Sequence, residues 1–244
     1  MTETIELGDI NIHVTRKAVK NVHLSVHPPA GHITLVAPSD TRLDVVRAYA
    51  ISKLPWIRKQ QEKLLAQERE SARQFVTRES HYLWGRRYLL EVVEKDEKPS
   101  VKLDHKRIVL SVRPGSDQMK RAEVMHEWHK QTLHEAIPPI IDKWQKRLGV
   151  HVSGYYLQRM KTKWGSCNHR AGNIRLNTEL VKKPKDHLDY IILHEMAHLI
   201  EPTHNDRFIE MLNEHYPGWR EARDELNALP LGESPFSNRA LLDN

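Results

Sequence analysis

Residues 186–212 read DHLDYIILHEMAHLIEPTHNDRFIEML. His194 and His198 stand four apart, so on a helix they leave from one face and can chelate a single ion. Glu195 lies beside that face, near enough to hold a water yet displaced from the metal axis. Neutral imidazoles at this spacing suit Zn2+ with one coordination position open, and the carboxylate acts on the water there. The H-E-x-x-H spacing therefore points to metal-assisted hydrolysis, with His194 and His198 as ligands and Glu195 as the catalytic base.

A tetrahedral catalytic zinc usually takes a third protein ligand. His204 lies six beyond His198, which in an unbroken helix turns it about 240° away. Pro202 removes that obstacle, because it cannot continue a helix and pushes Glu201 out of the α region. The chain can then bend back and present His204 at the mouth of the next helix, NDRFIEMLNEH. Glu210 and Glu214 on that helix are the substitutes should His204 point away.

Further pieces surround this core: Trp164-Gly165-Ser166-Cys167, Asn177, the segment from Asp189 to Leu199, and His204 followed by Phe208. Together they resemble the YgjP-like metallopeptidase family of predicted metal-dependent hydrolases, strongly over about 120–231 and more loosely over the N-terminal part. The resemblance implies a compact zincin-like catalytic domain akin to SprT-like and minigluzincin proteins. It implies one zinc ion held by His194, His198 and His204, with Glu195 as base. The family name rests largely on this motif and does not itself establish a substrate; the favoured reading is a metallopeptidase acting on peptides or unfolded protein. It also suggests NIRLN, residues 173–177, as a sheet edge for an extended peptide; the other reading is an interior strand with both edges paired.

Other chemistry-bearing residues have plainer readings. Cys167 reads as a small buried hydrophobe, and the Trp164–Cys167 segment as a turn packed on the active-site helix. His126, Glu127, His129 and His134 form a helix stripe without a suitably placed water-activating carboxylate, so they read as a polar face rather than a second metal site. His215 and Tyr216 read as a helix C-terminus before Pro217, with oxyanion stabilisation the sharper alternative.

The elements that must position these residues follow from periodicity. TIEL-GD-INIHVTR and NVHLSVH-PPAG-HITLVAP read as hairpins. A helix is expected over Thr41–Lys53 behind Ser39 and Asp40 as caps, then a polar, exposed one from Pro55 through ARQ at 72–74. RRYLLEVVEK, SVKLD and RIVLSVRP return to strands, and the similar endings ITLVAP and IVLSVRP hint at a duplicated β unit. From Ser116 a helix runs past Pro138 and Pro139 to a Gly149 stop. GYYLQRMKTKWGSC and NIRLNTEL form a strand pair across NHRAG, and GWREARDELNAL is the last helix. The fold class expected is α+β: a basic N-terminal β/α region over 1–113, a zincin-like hydrolase domain over 114–231, and a C-terminal tail over 232–244.

Composition sets the outer bounds. At 39% hydrophobic and 29% charged residues the chain reads as soluble and globular. No apolar run approaches the roughly 20 residues of a membrane span. The N-terminus lacks a signal-peptide layout, and a lone cysteine excludes an internal disulfide framework, so a cytoplasmic location is expected. Lys and Arg exceed Asp and Glu by six over 1–113 and are balanced over 114–244. That asymmetry keeps two alternatives open: hydrolysis of a nucleotide phosphoanhydride, and association with nucleic acid through the basic half. No P-loop or acidic Mg2+ cluster accompanies the first, and no nucleic-acid fingerprint the second.

Overall fold

The computed structural model describes residues 2–27, 31–66, 73–160 and 163–228. They form an α+β structure of three small sheets and six α-helices, divided into two units, Met1–Glu68 and Arg69–Asn244.

In the first unit, Ile10, Ile12 and Val14 alternate with exposed or half-buried residues along β2 (Ile10–Lys17), which makes one sheet face apolar. β1 (Thr2–Leu7) pairs antiparallel with β2 across the Gly8-Asp9 turn, where Gly8 has φ 66. β4 (His32–Pro38) lies between β2 and β3 (His23–His27), parallel to the former and antiparallel to the latter. The expected bend at Pro28 and Pro29 lies outside the described residues. Val46 and Ala50 of α1 (Leu43–Ser52) and Ile57 of α2 (Leu54–Ala66) are fully buried with Ile12, Val14 and Leu35. The N-cap of α1 is Arg42, without a side-chain cap, so Ser39 and Asp40 do not play the capping role expected of them. The helix expected beyond Ala66 falls over 67–72 outside the described residues, and residues 73–74 are not helical.

The second unit begins with a sheet of the same order and strand orientations. β5 (Ser80–Leu83) and β6 (Arg86–Glu94) are antiparallel, β8 (Arg107–Val112) joins β6 in parallel, and β7 (Ser100–Asp104) closes on β8. ITLVAP and IVLSVRP thus occupy the matching strands β4 and β8. The boundary expected after residue 113 falls inside this unit, because Leu90, Ile108, Leu110 and Val112 bury against Ala122 and Met125 of α3 (Gln118–Leu148).

Helix α3 opens on Asp117, whose carboxylate accepts from the Lys120 N–H at 2.8 Å, and stops at Gly149 in the left-handed region. It continues through Pro138 and Pro139 as one helix of 31 residues. Each interior proline costs about 3 kcal/mol or more. Leu133, Ile137, Ile141 and Trp144 form one buried stripe across the break, and burial at about 1.5–3 kcal/mol per side chain offsets that cost.

The third sheet has the order β10-β11-β9, from β9 (Gly154–Gln158), β10 (Gly165–Asn168) and β11 (Asn173–Asn177). NIRLN is therefore the middle strand, not the edge: β9 takes its other side in parallel, and Ile174 and Leu176 are fully buried. Among the described residues the edge next to it is β10. A 3-10 turn over Thr178–Lys182 leads into α4 (Lys185–Ala197), followed by α5 (Asp206–His215) and α6 (Trp219–Ala228). α4 is buried on several sides by Leu188, Ile192, Leu193, Met196 and Ala197. The Asp189 carboxylate fixes it to α3, accepting from Lys143 Nζ at 2.6 Å and Trp144 Nε1 at 2.8 Å. Among the described residues no helix is long and apolar enough to cross a membrane.

On α3, His129 is 7% exposed and its Nε2 has no hydrogen-bond partner among the described residues. Burial, then Lys182, His81, His126 and Arg159, hold it well below the usual histidine range. His81 and His126 are lowered as well, chiefly by burial. A folded-state value below the unfolded one means that the unfolded chain binds more protons. Stability is therefore intact above about pH 6.5 and falls below it, by at most about 1.4 kcal/mol per pH unit for each such histidine. Urea midpoints at pH 7.5, 6.5 and 5.5 should drop in that order, with a smaller drop in a His129→Leu variant; a pH-independent midpoint would contradict this account.

Candidate metal centre

The helical spacing of α4 sets the first pair. His198 is the residue capping α4 and keeps helical angles (φ −67, ψ −12), so it stays one turn from His194. The N–H groups of Leu199, Ile200 and Glu201 fold back on the carbonyls of Met196 and Ala197, which closes the helix before Pro202. The chain then turns, and Asn205 caps α5 by accepting from the Phe208 N–H at 3.1 Å. That cap sets His204 just outside the helix mouth. One nitrogen from each of His194, His198 and His204 lies within 4.8 Å of the other two. Phe208, buried, meets all three rings at centroid distances of 5.1, 4.6 and 4.7 Å.

This donor set fits a divalent metal. His198 Nδ1–H donates to the Glu201 carbonyl at 3.0 Å, which leaves Nε2 with its lone pair outward. His194 Nε2 and His204 Nε2 are 3.1 Å apart; two nitrogens at about 2.0–2.1 Å from one zinc in tetrahedral geometry are roughly 3.3 Å apart. Burial, then His198 and His204, take His194 down to about 3, and burial lowers His198, so both imidazoles are neutral near pH 7, the form that coordinates. Glu210 and Glu214 are exposed on α5 and stand outside the cluster.

The three histidines share a cleft of about 450 Å³ with Glu195. One wall is Lys163 to Cys167, including the first part of β10; another is α4, from Tyr190 to His198; Arg223, Leu226 and Asn227 enter from α6. Glu195 is 6% exposed, and burial pushes its carboxyl up to about 8 against the lowering effect of Lys163. A cation held by the adjacent imidazoles favours the carboxylate and draws that value back down. Where β10 crosses α4 there is no room for a side chain. A Cβ at Gly165 would lie 2.5 Å from Glu195 Oε1 and 2.8 Å from its Cγ.

Residues 20–229 match the family described as YgjP-like, metallopeptidase domain. The chain belongs to that family. Two solved structures are similar over part of this YgjP-like chain. The metallopeptidase zymogen of Pyrococcus abyssi abylysin is 22% identical with a TM-score of 0.34, over 36% of this chain and 89% of that one. The zymogen of Methanocaldococcus jannaschii jannalysin is 24% identical with a TM-score of 0.33, over 36% and 90%. A search of curated proteins finds no match.

Other candidates from the sequence stand outside the three-histidine cluster. His126 and His129 lie beside Arg159 and Lys182, Glu127 pairs with Lys130 at 3.2 Å, and His134 meets the Tyr155 hydroxyl at 2.9 Å. His215 packs on Trp144 and the Tyr216 hydroxyl donates to the Asp186 carbonyl at 3.2 Å; neither lines the YgjP-like cleft. Cys167 does line it, but burial and then Glu195 push its thiol up to about 11, so it is no thiolate. Sequence reasoning missed Tyr190, Lys163 and Arg223. Tyr190 was legible as the residue one turn before His194 on the same face, whereas α6 brings Arg223 in through tertiary packing alone.

Gly165→Ala should fold and keep the imidazole cluster while displacing the Glu195 carboxylate. A displacement near 1 Å costs up to about 100-fold in turnover. The expected reading is a fall in kcat of that order with metal stoichiometry unchanged; undiminished kcat would show that the crossing does not position Glu195.

Proposed function

We propose that this chain is a zinc-dependent metallopeptidase, with His194, His198 and His204 holding one Zn2+ and Glu195 as the catalytic base. What carries the reading is the convergence of three imidazole nitrogens beside a buried carboxylate, in one cleft of a chain that belongs to a metallopeptidase family. Zinc, when bound, supplies Lewis acidity, polarising the scissile carbonyl and acidifying a water. Glu195 takes the proton of the attacking water and passes it to the leaving amine. Its near-complete burial excludes bulk water from competing for that proton. The Glu201 carbonyl and Tyr190 hold His198 and His194 by their Nδ1 sides, at 3.0 and 3.5 Å, so that both present Nε2.

A peptide substrate is supported by the edge strand. β10 pairs with β11 on one side only among the described residues, and its residues Gly165, Ser166 and Cys167 line the cleft. Its free main-chain groups can pair with an extended backbone in a sequence-tolerant way.

Glu195→Gln should retain one zinc per chain and lose about 100- to 10,000-fold in turnover on a diverse peptide mixture read by mass spectrometry. Retained turnover would remove the role given to Glu195, and Glu195-dependent cleavage of nucleoside triphosphates with peptides intact would overturn the peptidase reading. His204→Ala should weaken zinc binding by more than the roughly 10- to 100-fold seen when only a partner of a ligand is lost, as titration against a competing chelator measures. An unchanged affinity would exclude His204 as a ligand.

A further inference from the structure

We propose that Arg223 gives the cleft a carboxylate-receiving subsite, so that preferred substrates carry a carboxylate close to the bond that is cut. The inference deepens the peptidase reading and rests on it. Among the described residues that line the cleft, Glu195 is the one carboxylate, while Lys163 and Arg223 bring two cations from separate segments.

The guanidinium of Arg223 is held in place. Its central carbon lies 5.1 Å over the Trp219 ring, and Trp219 is itself buried with Nε1 donating to Asn213 Oδ1 at 2.9 Å. Nε and Nη2 both lie 3.0 Å from Asp224 Oδ1, which leaves Nη1 without a partner among the described residues. The Asp224 side chain is 68% exposed, so water screens the pair and Arg223 stays available to an incoming anion.

Arg223 enters the cleft from α6 with Leu226 and Asn227, and shares it with Tyr190 and His194, whose hydroxyl and Nδ1 are 3.5 Å apart. Lys163 lines it from the wall that carries Gly165. A planar guanidinium with a free N–H matches a carboxylate better than it matches a neutral amide. Two substrate groups share that chemistry: an Asp or Glu side chain, and the free C-terminus of a peptide.

The test takes a peptide whose cut site is mapped, blocked at both ends, with Glu or Gln at each position flanking that site. A third form has Gln and a free C-terminus. Affinities are measured by fluorescence anisotropy on the zinc-loaded Glu195→Gln protein, and kcat/KM on the unsubstituted enzyme. Either carboxylate form should bind about 10-fold more tightly than the blocked Gln peptide, the low end for a charge-assisted hydrogen bond; whichever form does so names the source. Adding Arg223→Gln should bring that ratio close to one, and Arg223→Glu should invert it in favour of the blocked Gln peptide. Equal affinities for all three forms, or a ratio unmoved by Arg223→Gln, would overturn the subsite. Peptides cut without discrimination would leave the peptidase reading and remove this inference. A binding preference lost on Arg223→Gln, with cleavage of the mapped peptide that persists undiminished in Glu195→Gln, would keep this subsite and remove the role of Glu195.

Discussion

The close crossing of β10 over α4 is the constraint on which the rest of the centre depends. At Gly165 the strand comes so near the helix that a single added carbon would overlap Glu195. Glu195 is 6% exposed beneath that approach, and Gly165, Ser166 and Cys167 of the same strand line the cleft. The approach is itself held by a polar side chain. Asn177 is fully buried, and its amide donates to the carbonyls of Met160 and Lys163 at 2.9 and 2.8 Å while its Oδ1 accepts from the Glu179 N–H at 3.1 Å. One satisfied amide thereby ties the residues before Gly165 to the end of the neighbouring strand.

Burial on this scale makes the polar groups near the centre costly unless each has a partner. Asp189 has two donors from α3, and Glu179, 5% exposed, pairs with Lys182 at 2.6 Å, which holds its carboxyl below the usual range despite burial. Glu195 differs: burial raises it with only Lys163 opposing, and burial lowers His194 and His198 beside it. The contrast separates structural from chemical charge. Glu179 and Asp189 are compensated within the fold, whereas Glu195 has no such ion pair and sits beside three histidines that could hold a cation.

Much of this was legible in the chain. The four-residue spacing of His194 and His198, the stop at Pro202 and the capping Asn205 are local signals, and the structure brings His204 to the same point in space. The long helix from Asp117 to Gly149 was legible through two prolines because its apolar stripe keeps phase across them. What escaped was non-local. NIRLN carries the alternation of any strand, and nothing within five residues says that β9 will cover its second edge. The boundary after residue 113 followed a change from strand to helix pattern, yet β8 and α3 share one core. A composition shift marks a change of secondary structure, not of packing unit.

The glycine in Trp164-Gly165-Ser166-Cys167 shows the limit most sharply. From the sequence it could belong to a turn, a bulge or a close approach, since glycine suits all three. Its backbone at this position is ordinary extended strand without a positive φ, so conformational freedom does not explain it. Steric exclusion does: every larger residue would occupy the volume of the Glu195 carboxylate. The residue type is thus dictated from the adjoining helix by a side chain thirty positions away, and only the helix that carries that side chain makes the glycine intelligible.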